Sequence, residues 1–206
     1  MSTRIVILTG ERGVGKSTVC SRTVALARAR EYTCGGLITL SRSGDVRDAL
    51  DVHSGDVRRL TVESGAGATV AQGRFRFDPE TLAWGNEVLT HATPCHLLVV
   101  DELGPLEIER GEGWQKAFDL LRQTNFTLAL VVVRPELVDE LIERVRPRLP
   151  AHTTTVLTVT PHNRDDLPDA LLKMLVGSLK SPAGGSAPCA VPAAPTMRTE
   201  HAPGLG

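Results

Sequence analysis

Residues 4–20, RIVILTGERGVGKSTVC, decide the fold. Ile5 to Thr9 is a short apolar run and reads as a buried strand. It runs into glycines at 10, 13 and 15, followed at once by Lys16 and Ser17. From Thr18 to Ala29, apolar or small residues recur at helical spacing. Gly10 to Ser17 fit G-x-x-x-x-G-K-[ST] in full, in the strand–turn–helix context that the motif needs. The glycines let the backbone turn with its amides inward, and the helix adds its N-terminal amides and positive dipole end. The expected phosphate cradle is Gly10, Gly13, Val14, Gly15, Lys16, Ser17 and Thr18. Lys16 would reach the β- and γ-phosphates, and the Ser17 hydroxyl would ligate Mg²⁺. Arg12 is expected to face solvent, because the cradle is built from backbone amides.

A phosphate and metal site of this kind needs an acid at the end of a second buried strand. HLLVVDE, residues 96–102, supplies it. Asp101 follows four apolar residues and so emerges at the carboxyl end, where open α/β sheets bind ligands. Its expected role is to hold Mg²⁺ through water. Glu102 points differently from Asp101 and is the expected catalytic base, orienting or deprotonating an attacking water. Glu107 is a secondary candidate. The loop after the last parallel strand commonly lies by the nucleotide base in such proteins, and Asn163 and Arg164 stand there. An asparagine suits a base edge and a guanidinium suits stacking. The alternative is an Asn capping the final helix beside a solvated Arg.

The remaining pattern supports one α/β unit. Four β-rich pieces between residues 35 and 78 (GGLITL, VRDALDV, VRRLTV and GRFRFD) alternate with glycine turns and read as antiparallel hairpins. Glu80 to Ala92 reads as a helix opened by Asp78-Pro79. Helices are expected over 113–123, 135–145 and 165–179, and strands over TLALVVV and TTTVLTVT. Buried strands alternating with helices give a doubly wound, mainly parallel sheet, with the hairpins as an antiparallel extension. Residues 181–206 are mostly Ala, Pro, Gly and Ser and are expected to form a disordered tail behind a domain of residues 1–180.

Three segments together carry a resemblance: LTGERGVGKST, LLVVDELGPLEI and VTPHNRDDL. They resemble the cancer-related or thermophilic nucleoside-triphosphatase family of small P-loop NTPases. The likeness runs over about residues 4–175, in order. It implies a P-loop fold and slow hydrolysis of nucleoside triphosphates with broad base tolerance. The Asn163-Arg164 pair, the strand Gly36-Leu37-Ile38-Thr39 and the step Gly73 to Asp78 also match the family pattern. Pro105 stands where the family has lysine, and Leu37 and Ile38 where it has aromatics. No second arginine is placed by sequence as an intrinsic finger, which also points to slow turnover.

The bulk properties set outer limits. A formal net charge of −1 over 206 residues gives no reason to expect nucleic acid or an acidic membrane as partner. No apolar run approaches the ~20 residues of a membrane span. The N-terminus enters the first strand without a basic region and apolar h-region, so the expected location is cytoplasmic. Cys20, Cys34, Cys95 and Cys189 form no CxxC and are expected to be reduced. The expected activity is Mg²⁺-dependent hydrolysis of ATP or GTP. The alternatives are a nucleotide or small-molecule kinase, which needs an acceptor pocket, and a nucleotide-dependent switch or adaptor.

Overall fold

The computed structural model describes residues 3–63, 68–123, 125–145 and 152–180. The expected tail, 181–206, and most of the arginine-dense run at 144–148 lie outside the described residues. The first half of the chain holds β1 (Thr3–Thr9), α1 (Lys16–Arg28), β2 (Cys34–Ser41), β3 (Arg47–Asp51), β4 (Val57–Arg59), β5 (Val70–Gln72), β6 (Phe75–Phe77) and α2 (Pro79–Thr90). The second half holds β7 (Cys95–Leu103), α3 (Pro105–Ile108), α4 (Lys116–Leu121), β8 (Phe126–Val133), α5 (Val138–Val145), β9 (His152–Thr158) and α6 (Leu167–Lys180).

Seven strands form one sheet in the order β4-β3-β2-β7-β8-β1-β9. β2, β7, β8, β1 and β9 are parallel, whereas β3 and β4 add antiparallel to the edge. A separate two-stranded ribbon, β5-β6, stands outside the sheet. Both faces of the parallel part are covered, which is why its strands read as unbroken apolar runs. Side chains alternate between two cores. Ile5, Ile7, Leu98, Val100, Ala129 and Val131 pack with Leu82, Leu89, Phe118 and Leu141 of α2, α4 and α5. Val6, Leu8, Leu97, Val99, Leu128 and Leu130 pack on the other face with Val19, Val24, Leu171 and Leu175 of α1 and α6. Leu37 and Ile38 fall one in each core, so the branched aliphatics there fill space between sheet and helices.

Asp78 caps α2 as its sequence predicts: its carboxylate accepts from the Glu80 and Thr81 amides. Three expectations are corrected. GGLITL is not a hairpin strand alone: Cys34–Leu37 pair parallel with β7, and Leu37–Ser41 pair antiparallel with β3. The helix expected from Gly113 starts at Lys116, because side chains hold the preceding segment in a loop. Asn86 Nδ2 donates to Gly113 O at 2.9 Å, and Asn86 Oδ1 accepts from the Lys116 amide at 3.0 Å. α3, unread in the sequence, forms where Pro105 occupies the first helical position and Glu107 reaches back to the Gly104 amide at 3.0 Å. Among the described residues, no helix is long and apolar enough to cross a membrane.

Candidate nucleotide site

β1 delivers its carboxyl end to a turn that only a bare backbone fits. Gly10 has φ +132°, and a Cβ there would lie 2.5 Å from Val159 O. The turn curls so that Lys16 Nζ donates to Gly10 O at 2.8 Å and Glu11 O at 2.9 Å. These two carbonyls hold the lysine over the loop it is expected to serve. α1 begins at Lys16 with no side-chain cap, so its first amides are left for an anion.

β7 ends beside this loop. β8 lies between β7 and β1, and all three strands open toward the same end. Asp101 is 1% exposed, and neither carboxylate oxygen makes a hydrogen bond among the described residues. Burial pushes its carboxyl up to about 7, with the Glu102 charge adding; the Ser17 hydroxyl, the Thr39 contact and the Lys16 ammonium pull the other way. Its backbone carbonyl accepts from Thr39 Oγ1 at 2.5 Å. A buried, unpartnered carboxylate facing a hydroxyl is a costly arrangement that a hard divalent cation offsets. Two oxygen donors, Ser17 and Asp101, therefore suit a hard divalent cation. No separate cluster of His, Cys, Asp and Glu suited to a metal occurs among the described residues.

The strand pairing explains why two successive acids behave differently. Asp101 pairs with Val132 and Leu103 with Val133, leaving Glu102 as an extra, bulged residue. A bulge re-aims its side chain. Glu102 is part-exposed, and its Oε1 accepts from Arg134 Nε at 3.2 Å. Arg134 directly follows β8 and was not singled out from the sequence. The same strand-end rule that found Asp101 would have found it, since it ends the apolar run TLALVVV.

Glu107 sits apart in role. It is 5% exposed, and it accepts from the Gly104 amide at 3.0 Å and from the Trp114 amide at 3.3 Å. Burial raises its pKa to about 7. It holds α3 and the following loop together.

After β9 the chain turns over the phosphate loop. Asn163 Oδ1 accepts from the Thr160 amide at 2.8 Å, and Nδ2 donates to Thr158 O at 2.9 Å. The carboxamide is thus engaged within its own loop. Arg164 lies across the start of α1: Nη1 donates to Val14 O at 3.4 Å, and a Cβ on Gly15 would come within 3.4 Å of Arg164 Cδ. Thr18, Arg22, Arg164 and Asp165 border a small cleft there of about 210 Å³. A larger cleft of about 1260 Å³ opens on the other side, from the phosphate loop past Asp101 and Glu102 to β6.

This glycine loop at the head of a parallel strand, with a buried acid across one intervening strand, defines a P-loop nucleoside-triphosphate-binding protein. The profile of the NTPase family matches residues 5–172, and the chain belongs to that family of enzymes. It is 30% identical over 176 residues to the nucleoside-triphosphatase THEP1 of Methanopyrus kandleri, covering 82% of this chain and 93% of that protein. The crystal structure of THEP1 from Aquifex aeolicus superposes with a TM-score of 0.63 at 18% identity, covering 83% of this chain and 98% of that one. The solution structure of a human cancer-related nucleoside triphosphatase gives 0.62 at 24% identity, with 87% and 98% covered. At such identities these two superpositions speak for the fold.

Proposed function

We propose that this enzyme hydrolyses nucleoside triphosphates, ATP and GTP among them, to the diphosphate and phosphate, and that it requires Mg²⁺. The observation that carries the reading is Asp101, buried and unpartnered opposite Ser17 and Lys16. In this reading Lys16 exchanges the carbonyls of Gly10 and Glu11 for the β- and γ-phosphate oxygens. Amides of Gly13, Val14, Gly15 and Thr18 bind the remaining oxygens. Mg²⁺, held by Ser17 and by Asp101 through water, would neutralise charge on the β- and γ-phosphates. Glu102, turned out by its bulge, orients the attacking water and takes its proton. Arg134, donating to Glu102 Oε1, holds that side chain in place.

Base tolerance has a structural basis in the same reading. The Asn163 carboxamide, which the sequence offered as a base-edge reader, is used to shape its loop. The base then rests on the Arg164 guanidinium, which stacks on any base without reading its edge. Turnover is slow because the Arg134 guanidinium is engaged by Glu102; the absence of an arginine finger costs ~10³–10⁵ in rate. Residues 1–180 are the catalytic unit, and the free thiols of Cys20, Cys34 and Cys95 suit a cytoplasmic setting.

The test is phosphate release from ATP and GTP by the full chain, in Mg²⁺ and in EDTA, beside Lys16→Ala. Release should need Mg²⁺ and should be lost in Lys16→Ala. Wild-type rates from the variant would show that the chemistry lies elsewhere.

A further inference from the structure

The larger cleft has more room than a single nucleotide requires. Its volume of about 1260 Å³ exceeds the ~300–1,000 Å³ of a pocket for one small molecule. The phosphate loop accounts for one end, and the base, on Arg164, lies outside this cleft. Beyond Asp101 the lining changes character. Leu60, Phe77, Leu82, Leu106 and Trp114 make an apolar floor.

The wall facing that floor is cationic. The guanidinium carbons of Arg47, Arg74 and Arg12 lie 5.2, 5.3 and 5.5 Å from the centre of the Phe75 ring. One ring is enough for one cation, and three like charges around it repel one another. Among the described residues, one of the three has a direct ion pair. Arg74 pairs with Asp45 at 2.8 Å. Arg47 donates to Gly44 O at 3.2 Å and Val46 O at 2.8 Å, which are uncharged. Arg12 has no hydrogen bond or ion pair among the described residues. Burial first, and then Arg12 and Arg74, pull the Arg47 pKa down, while Asp45 and Glu102 pull it up; the net direction is downward. Asp101 and Glu102 come from the end of β7 and the three guanidiniums from the loop and the opposite wall, with Glu102 near enough to Arg47 to act on it. Since Arg12 lies inside the phosphate loop, the cluster adjoins that loop in the same cleft.

We propose that this half of the cleft is a phosphoryl-acceptor subsite. It takes a phosphate monoester with a planar, largely apolar body, of the size of a nucleoside 5′-monophosphate. The phosphate lies on Arg12, Arg47 and Arg74, and the body lies over Leu60, Phe77, Leu82 and Trp114. The inference rests on the nucleotide site described above. A non-bridging oxygen of the acceptor phosphate bonds to the γ-phosphorus. The bond from that phosphorus to the β–γ bridging oxygen breaks, and its electron pair stays on the departing diphosphate. A monoester dianion and a triphosphate tetra-anion become two diphosphate trianions, so no proton or redox partner is needed. Water takes the acceptor's place when the subsite is empty.

The experiment incubates the full chain with Mg²⁺ and ATP labelled at the γ-phosphate, plus AMP, GMP, CMP, UMP or dTMP in turn. Thin-layer chromatography separates labelled nucleoside diphosphate from labelled phosphate. At least one monophosphate should become labelled. In Arg74→Gln the ratio of labelled diphosphate to phosphate should fall ~10-fold or more, as for loss of one charged hydrogen bond, and Arg74→Lys should restore part of it. The Arg74–Asp45 pair is half-exposed on both sides, so the variant should fold, and circular dichroism checks this. Titration calorimetry of the same monophosphate into Lys16→Ala should still give binding. Wild-type protein that hydrolyses ATP but labels none of the five overturns the acceptor subsite alone. So does labelling that is indifferent to Arg74→Gln. Hydrolysis that survives Lys16→Ala instead overturns the nucleotide site on which the subsite depends.

Discussion

Asp101→Asn should make the metal-free protein more stable and the nucleotide-bound protein less so. The wild-type carboxyl is 1% exposed, and burial lifts it from the ordinary 3.8 to about 7. A folded-state pKa above the unfolded one means that the native state holds the proton more tightly. Stability from this group is full below about pH 4 and is lost as pH rises toward 7. Roughly three pKa steps correspond to about 4 kcal/mol, and relaxation around the charge brings a realistic figure to about 2–4 kcal/mol. Asparagine keeps the shape and removes the charge, so the slope should vanish in the variant. For a domain of this size the gain at pH 8 in EDTA amounts to ~5–15 °C in melting temperature, with little difference at pH 4. Adding Mg²⁺ and a slowly hydrolysed ATP analogue should reverse the order. The wild type gains ~3 kcal/mol at a hundredfold excess over its Kd, and the variant gains much less. Thermal unfolding by circular dichroism, at both pH values and with both additions, reads all of this. A variant that melts below the wild type at pH 8 in EDTA would refute the claim that the carboxylate is an uncompensated buried charge awaiting a cation.

Two further outcomes follow from named contacts. Glu102→Gln should bind nucleotide and Mg²⁺ normally but release phosphate ~10²-fold more slowly, the usual worth of a positioned base; unchanged turnover at unchanged affinity removes Glu102 from the mechanism. Gly36→Ala should cost ~3 kcal/mol or more in urea unfolding, because Gly36 has φ +105° and its Cβ would meet Val99 O at 1.9 Å across the β2–β7 seam; a wild-type midpoint would contradict that seam.

What the sequence revealed and what it hid divide along one line, the range of the interaction that decides each feature. The phosphate loop is a local chemistry: glycines, lysine and hydroxyl act on one ligand within eight residues, so they can be recognised without knowing the fold. Asp101 is nearly as local, since a buried strand announces its own end. Asp78 capping α2 is local too. Arg134 carried the same strand-end signal but no motif. The start of α4 was misplaced because Asn86, some thirty residues upstream, fixes the loop before it. The arginines around Phe75 were invisible for a stronger reason. Arg12, Arg47 and Arg74 are far apart in the chain, and only the register of β2 with β3 and the placement of the β5–β6 ribbon bring them to one ring. Asn163 shows the opposite case, a residue with the right chemistry whose hydrogen bonds are spent locally.

β2 serves two masters along its length, parallel to β7 in its first half and antiparallel to β3 in its second. Thr39, in the second half, is tied to the Asp101 carbonyl. A change inside the strand would therefore disturb Asp101. The turn at its far end is different: Arg42 N donates to Val46 O at 3.0 Å, and a side chain at Gly44 would meet nothing within 4 Å. Evolution can lengthen or retune the cleft's outer wall by insertions at this turn while the ends of β1 and β7 stay untouched. Members of the family that accept different molecules should accordingly differ in length here, and agree in length from Gly36 to Thr39 and from Leu97 to Glu102.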